Sequence, residues 1–411
     1  MRTWAKVAVA IGIIILIPIV VVGAVLLNQG EQVNRQQSEI SGFYLPPEPL
    51  PQTPGQLLRS EPLGVEVAGG TGYRILYVSQ RPDGTPAASS GMVFIPNSTA
   101  PAQGRPVVAW AHGTLGMGDA CAPSRSSDPL SDTQDWLSDM LERGWLVTAT
   151  DYVGLGTPGP ELYLVAEAEA RDVVNSVRAA AQLPDADIGS RYAVWGHSQG
   201  GHSALWTGHL SAELAPEFSL VAVAAAAPAA QLADIMEAQW KGAIGWGIGP
   251  EVAVSWPLVD PQLALDDILT GAGLRNYERL ANECLNNDDA LLIELAARQA
   301  LGQSFFTSNP VKNADWKNFA DAQTPPPLPA DMPTLIAQST ADQVVLAWPN
   351  AVTQQKWCSA GSDLTMLWLG VVNHQETANT AGPSVVSWLE ERFAGKPTQP
   401  NCAIPPPVAR P

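Results

Sequence analysis

The sequence predicts an α/β fold, a mostly parallel sheet with helices on both faces and a helical insertion late in the order. Three observations predict it. Short apolar segments alternate with amphipathic ones through 63–228 and again through 325–411, as in strands joined by crossover helices. Between these stretches, 229–324 has helical patterning, few strand signals and scattered aromatics. An apolar strand also runs into Gly196-His197-Ser198-Gln199-Gly200 and directly on into a helix.

The elements follow in order. Arg2 and Lys6 precede an uninterrupted apolar run over 7–27. At about 1.5 Å per residue this run spans roughly the 30 Å hydrocarbon core of a bilayer. No small-residue cleavage site follows it, so residues 1–30 read as an uncleaved signal anchor rather than a cleaved signal peptide. The positive flank keeps the N-terminus cytoplasmic and places the rest outside. Residues 31–62 are expected to form a stalk or wrapping arm, because 44–62 is rich in proline. Strands are expected at 73–79, 92–95, 106–111, 146–150, 192–195 and 218–224, with helices at 135–144, 166–182 and 199–214. The insertion closes at the proline-rich stretch "TPPPLPADMP". Strands at 333–338 and 364–369 and a helix at 383–393 complete the chain.

Composition bounds the function. The 411 residues carry a net charge of −18, which excludes the basic face that nucleic acid requires. The four cysteines, Cys121, Cys284, Cys358 and Cys402, all lie in the exported part and none form a C-x-x-C pair. Metal and redox sites are therefore not expected, and an even number in an oxidising compartment suggests two disulfides. Spacing alone leaves three connectivities open.

The chemistry concentrates at "GHSQGGHS", residues 196–203. Ser198 has the full G-x-S-x-G setting, with a strand before it and a helix after it. Such an elbow puts serine at the carboxyl end of a sheet in a strained turn, and Gly196 and Gly200 relieve crowding there. Ser203 lacks the final glycine and falls inside the helix, where it reads as a small packed residue. The backbone N–H of Gln199, at the helix start, points where an oxyanion would form.

Elimination among five histidines gives the base. His197 adjoins the serine, His202 and His209 ride the same helix, and His112 precedes it. Only His374 follows the serine, just past a strand, and the order nucleophile, acid, histidine is that of α/β-hydrolases. Asp342, after the strand in "MPTLIAQSTADQVV", is the expected acid, ahead of Asp331 and Glu376. The loop His112-Gly113-Thr114-Leu115-Gly116 should supply a second oxyanion donor, from Gly113 or Thr114. His112 either orients that loop or is simply packed. The insertion's aromatics read equally as an acyl pocket or as a small core of their own.

These residues resemble the secretory lipases of the lipase A type, within the α/β-hydrolases. The segments "DACAPS" (119–124), "TDYVGLG" (150–156), "STADQVV" and "VNH" carry the likeness, and the block from Gly196 through "AAAAP" is its most specific part. The resemblance covers roughly 60–400. It implies carboxylic ester hydrolysis, a triad of Ser198, Asp342 and His374, and a helical lid over 229–324. It also implies bridges Cys121–Cys284 and Cys358–Cys402. The loop His112-Gly113-Thr114 departs from members that have an acidic residue there.

The expectation is an esterase or lipase working through an acyl-enzyme, with no metal or organic cofactor. A lipid or small-molecule ester is the expected substrate, and the membrane is a partner through the N-terminal helix. The sequence sets no oligomeric state. Two other readings stay open, an acyltransferase using the same triad on envelope lipids and a catalytically silent surface-binding protein.

Overall fold

The computed structural model describes residues 35–411 except 132, 134–135 and 286–288. The apolar run expected to anchor the chain lies outside the described residues. Among those described, no helix is long and apolar enough to cross a membrane. The chain divides into two compact units, Met1–Leu45 and Pro46–Pro411. All nine strands of the sheet lie in the second.

That unit is built on one nine-stranded sheet in the order β1-β2-β3-β5-β4-β6-β7-β8-β9. The strands are β1 Leu57–Pro62, β2 Gly70–Gln80, β3 Pro86–Pro96, β4 Arg105–Ala111, β5 Leu146–Val153, β6 Ile188–His197, β7 Ser219–Ala226, β8 Thr334–Ser339 and β9 Leu364–Leu369. Strands β1 to β3 pair antiparallel, and β3 joins β5 antiparallel. From β5 through β9 every pairing is parallel.

Strand β4 shows why both faces are covered. Val107, Ala109 and Ala111 enter one apolar cluster, while Val108 and Trp110 enter the other. The period-two alternation of a strand sends successive side chains to opposite faces. Helices α1 Trp136–Glu142, α2 Ala166–Ala180 and α3 Gln199–Leu214 follow the strands in turn. Helices α2 and α3 cover the first face, and α1 covers the second.

The insertion between β7 and β8 holds α4 Leu232–Gln239, α5 Ala243–Gly247, α6 Gly249–Val259, α7 Gly271–Ala281, α8 Asp289–Ala300 and α9 Ala314–Ala322. Its core is aromatic. Trp246, Trp256, Trp316 and Phe305 are fully buried, with Trp256 against Phe319 at 4.9 Å and Trp246 against Phe305 at 5.2 Å. Residues Leu162 to Val165, from before α2, share this core. The tryptophans are thus structural, which removes them as evidence for an acyl pocket.

Three other expectations are refined or corrected. Of the stalk or wrapping arm expected over 31–62, the stretch from Gly55 wraps onto the sheet rather than standing free. Leu57–Pro62 is the edge strand, and Gly55 N–H donates to Val78 O at 2.7 Å, because the unpaired N–H and C=O groups of an open sheet edge take up an extended segment. Helix α10 Ala347–Ser359 lies where no helix was predicted. The last helix, α11 Thr377–Phe393, begins before Pro383, which it holds in its interior. Like α1, α11 packs on the second face.

Both disulfides form, Cys121–Cys284 and Cys358–Cys402. They close spans of 163 and 44 residues. In the chain-entropy view each contributes roughly 4–5 kcal/mol.

Candidate active site

Parallel strands direct their carboxyl ends to one edge of the sheet, and loops there converge. Ser198 follows β6, Asp342 follows β8, His374 follows β9 and Gly113 follows β4. Ser198 has φ 57° and ψ −115°, a conformation that L residues rarely adopt. The surroundings enforce it. Ser198 N–H donates to Ala226 O at 2.9 Å, while its carbonyl accepts from His202 N–H at 3.1 Å and Ala229 N–H at 3.2 Å. A Cβ on Gly196 would overlap the Gly200 carbonyl, and one on Gly200 would overlap the Ala111 carbonyl. Only glycine fits at either place.

The structure brings three predicted side chains into one chain of hydrogen bonds. Ser198 Oγ stands 2.9 Å from His374 Nε2, and His374 Nδ1 stands 2.7 Å from Asp342 Oδ2. All three are buried, at 7%, 5% and 3% exposure. Asp342 is fully engaged. Its Oδ1 accepts from Val344 and Val345 N–H, each at 2.9 Å, and its Oδ2 accepts from Gln338 Nε2 at 3.3 Å. A carboxylate so held accepts from Nδ1, which leaves Nε2 as the acceptor for the serine proton.

Two of the residues expected on the oxyanion side adjoin Ser198. Gln199 is the first residue of α3, and the first N–H groups of a helix have no partner within it. Gly113 abuts the nucleophile, since a Cβ there would meet Ser198 Cβ at 3.3 Å. Thr114 Oγ1 pairs with Tyr163 Oη at 2.8 Å. His112 is buried, hydrogen-bonds Gly113 O through Nδ1 at 2.6 Å and packs on Tyr152 at 4.6 Å. Its ring is thus both packed and bonded to the loop's backbone.

The remaining predicted residues lie apart from the chemistry. His202 Nδ1 meets Glu169 Oε2 at 2.7 Å and its Nε2 meets Gln323 O at 2.8 Å. Ser203 Oγ donates to Glu169 Oε2 at 2.8 Å. Both therefore brace helix α2. Asp331 is exposed. Glu376 is exposed as well, and its N–H is capped by Asn373.

A cluster of buried carboxyls supports the site from below. Gln199 Nε2 donates to Glu161 Oε1 and to Glu169 Oε1, each at 3.0 Å. Burial, with the neighbouring carboxylates Glu169 and Asp172 adding to it, pushes Glu161 up to about 8. Burial likewise pushes Asp172 up to about 7 and raises Glu251 and Asp151. Glu251, on α6 of the insertion, faces the Gly116 N–H of the oxyanion loop. Ser255 Oγ of the same helix donates to Glu161 O at 3.1 Å. On the opposite side, Gln239 Nε2 of α4 reaches Val344 O of the acid loop at 2.8 Å.

The family model described as Secretory lipase matches residues 133–401, more than half of the chain. The chain belongs to the secretory lipase family. It is accordingly a carboxylic ester hydrolase placed outside the cytoplasm. Among its relatives, a probable inactive lipase of Mycobacterium tuberculosis is 25% identical over 86% of this chain and 82% of its own length. A secreted triacylglycerol lipase of Malassezia globosa is 23% identical over 88% of this chain and 82% of its own. Candida antarctica lipase A in its closed state superposes with a TM-score of 0.69 at 14% identity, covering 89% of each chain. The rice cell wall degrading esterase LipA of Xanthomonas oryzae superposes at 0.66 with 22% identity, covering 84% of this chain and all of that one. At those identities the superpositions show the shared α/β-hydrolase fold.

Sequence reasoning missed several residues of this secretory lipase site. Gln338 was legible in principle, as a buried amide inside the apolar strand "TLIAQS" four residues before Asp342. His197, Tyr163 and Glu251 gave no such signal, because their partners lie far away in sequence.

Proposed function

We propose that this chain hydrolyses lipid esters through an acyl-enzyme on Ser198. The hydrogen-bonded line Ser198–His374–Asp342 is the observation that carries the reading. His374 takes the serine proton as Oγ attacks the ester carbonyl. The N–H groups of Gln199 and of the Gly113–Thr114 loop hold the developing oxyanion, each such donor contributing roughly 10²–10³ in rate. His374 then protonates the leaving alcohol and activates the water that frees the acid.

The insertion 229–324 acts as a lid, as its contacts with both the oxyanion loop and the acid loop suggest. The catalytic body is then 63–228 with 325–411, extended by the wrapping segment before it. Triacylglycerols are the class of lipid ester favoured by the Malassezia relative's name. The apolar run 7–27 and its basic flank support tethering at the outer face of the membrane.

One relative is described as a probable inactive lipase, and a turnover assay with variants of both serines tests the acyl-enzyme reading. Purified protein is expected to hydrolyse p-nitrophenyl esters across short to long acyl chains, and folded Ser198→Ala is expected to be silent. Ser203→Ala should remain active. Turnover retained in Ser198→Ala at the wild-type rate would sink the assignment, and absence of turnover in the wild type would favour a silent binding protein.

A further inference from the structure

His374 sits in a loop, 370–376, that links β9 to α11. Little apolar packing holds this loop, since Val371 at its tip is 94% exposed. Polar contacts fasten its two ends. Ser339 Oγ meets Gly370 O at 3.0 Å and Val372 O at 2.6 Å, and Thr377 Oγ1 donates to Asn373 O at 2.9 Å. At the residue that matters, the carbonyl of His374 accepts from His197 Nε2 at 3.0 Å. The two imidazole rings lie 4.7 Å apart.

We propose that His197 is a positioning residue for the catalytic base, tying the His374 backbone to the frame of the nucleophile. The proposal rests on the triad reading above. His197 directly precedes Ser198, whose own backbone is fixed on both sides. A bond from His197 to the His374 carbonyl therefore sets the reach of the His374 ring toward Ser198 Oγ. The other edge of the His197 ring faces the oxyanion loop, where a Cβ on Gly113 would meet Nδ1 at 3.3 Å. Base loop, nucleophile and oxyanion loop are thus gauged against one side chain.

The protonation state suits this task. Burial, with the facing His374 ring adding to it, holds His197 down at about 3. The ring stays neutral while His374 gains its proton, so no second cation opposes the imidazolium. A carbonyl partner keeps the single proton on Nε2.

The test uses His197→Gln, His197→Asn and His197→Phe in the full chain. A glutamine amide reaches the place of Nε2, whereas asparagine is too short and phenylalanine keeps the ring without the donor. Two readings are taken with a fluorophosphonate, the labelled fraction and the rate constant per labelled site. With a soluble ester, kcat and KM are taken as well. His197→Phe and His197→Asn should lose roughly 10–10²-fold in both the labelling rate constant and kcat, the scale expected of a small misplacement. KM and the labelled fraction should hold, and His197→Gln should recover most of the loss. Equal rate constants in His197→Asn and wild type would overturn the proposal. So would a loss confined to the labelled fraction, which marks a role in folding alone. Failure of the wild type to label at Ser198 would instead overturn the triad reading beneath it.

Discussion

Ser198 and Ser203 share the triplet Gly-His-Ser, yet their surroundings give them different work. Ser198 Oγ meets His374, while Ser203 Oγ meets Glu169. Ser203→Ala should keep full turnover and lose about 1–3 kcal/mol of stability, because the buried Glu169 carboxyl loses one donor. Chemical denaturation beside an ester assay checks both halves. Asp342→Asn should behave in the opposite way. The amide cannot fix the histidine tautomer, so kcat should fall by roughly 10³–10⁴. Stability should change less, since Val344 and Val345 can still donate to the amide oxygen. These assignments were legible because they follow chain order and motif spacing. His197 was not. Its place beside Ser198 sets it aside as the base, and its bond to the His374 carbonyl joins residues 177 apart in sequence.

Among the elements, the strands and helices flanking the site were the most legible. Helix 199–214 and strand 364–369 fall where the pattern places them. The β1 strand was missed because its apolar content is low and its prolines read as linker. Helix α10 was missed because its buried face mixes Asn350, Thr353 and Gln354 with apolar residues, which blurs the helical period. The insertion's aromatics show a limit of another kind, since composition alone cannot distinguish a lid's core from an acyl pocket. The Cys121–Cys284 bond couples the two halves at this scale. A Cβ on Gly116 or Gly118 would run into the backbone at 282–283, so the oxyanion loop and the insertion are in direct contact there. Cys284→Ser with Cys121→Ser should therefore lower both Tm and turnover, whereas Cys358→Ser with Cys402→Ser, far from that loop, should lower Tm alone. Scanning calorimetry and an ester assay on the two double variants separate these outcomes.

For the whole molecule, the buried carboxyls set the response to pH. Glu161 rises from 4.5 to about 8 and Asp172 from 3.8 to about 7 on folding. The folded state thus holds protons that the unfolded chain has released. Their stabilising effect is complete below the unfolded values and is lost as pH rises through about 7 to 8. His197 acts in the other direction. It is lowered from 6.5 to about 3, so its contribution is present above 6.5 and fades as pH falls. Above 6.5 the carboxyls act alone of these groups, and the net charge of −18 adds repulsion. Tm should fall between pH 6.5 and 8, and Glu161→Gln should flatten that fall, because glutamine still accepts from Gln199 without ionising. A Tm that rises over this interval would contradict the assignment.

Of the two serines, Ser198 is the one proposed to carry the acyl group. Acid quench of the protein during turnover of a p-nitrophenyl ester, followed by peptide mass spectrometry, tests it directly. A single acyl adduct on Ser198 is expected, absent from Ser198→Ala and retained in Ser203→Ala. An adduct on Ser203, or acyl transfer without any adduct in a protein that still turns over, would contradict it.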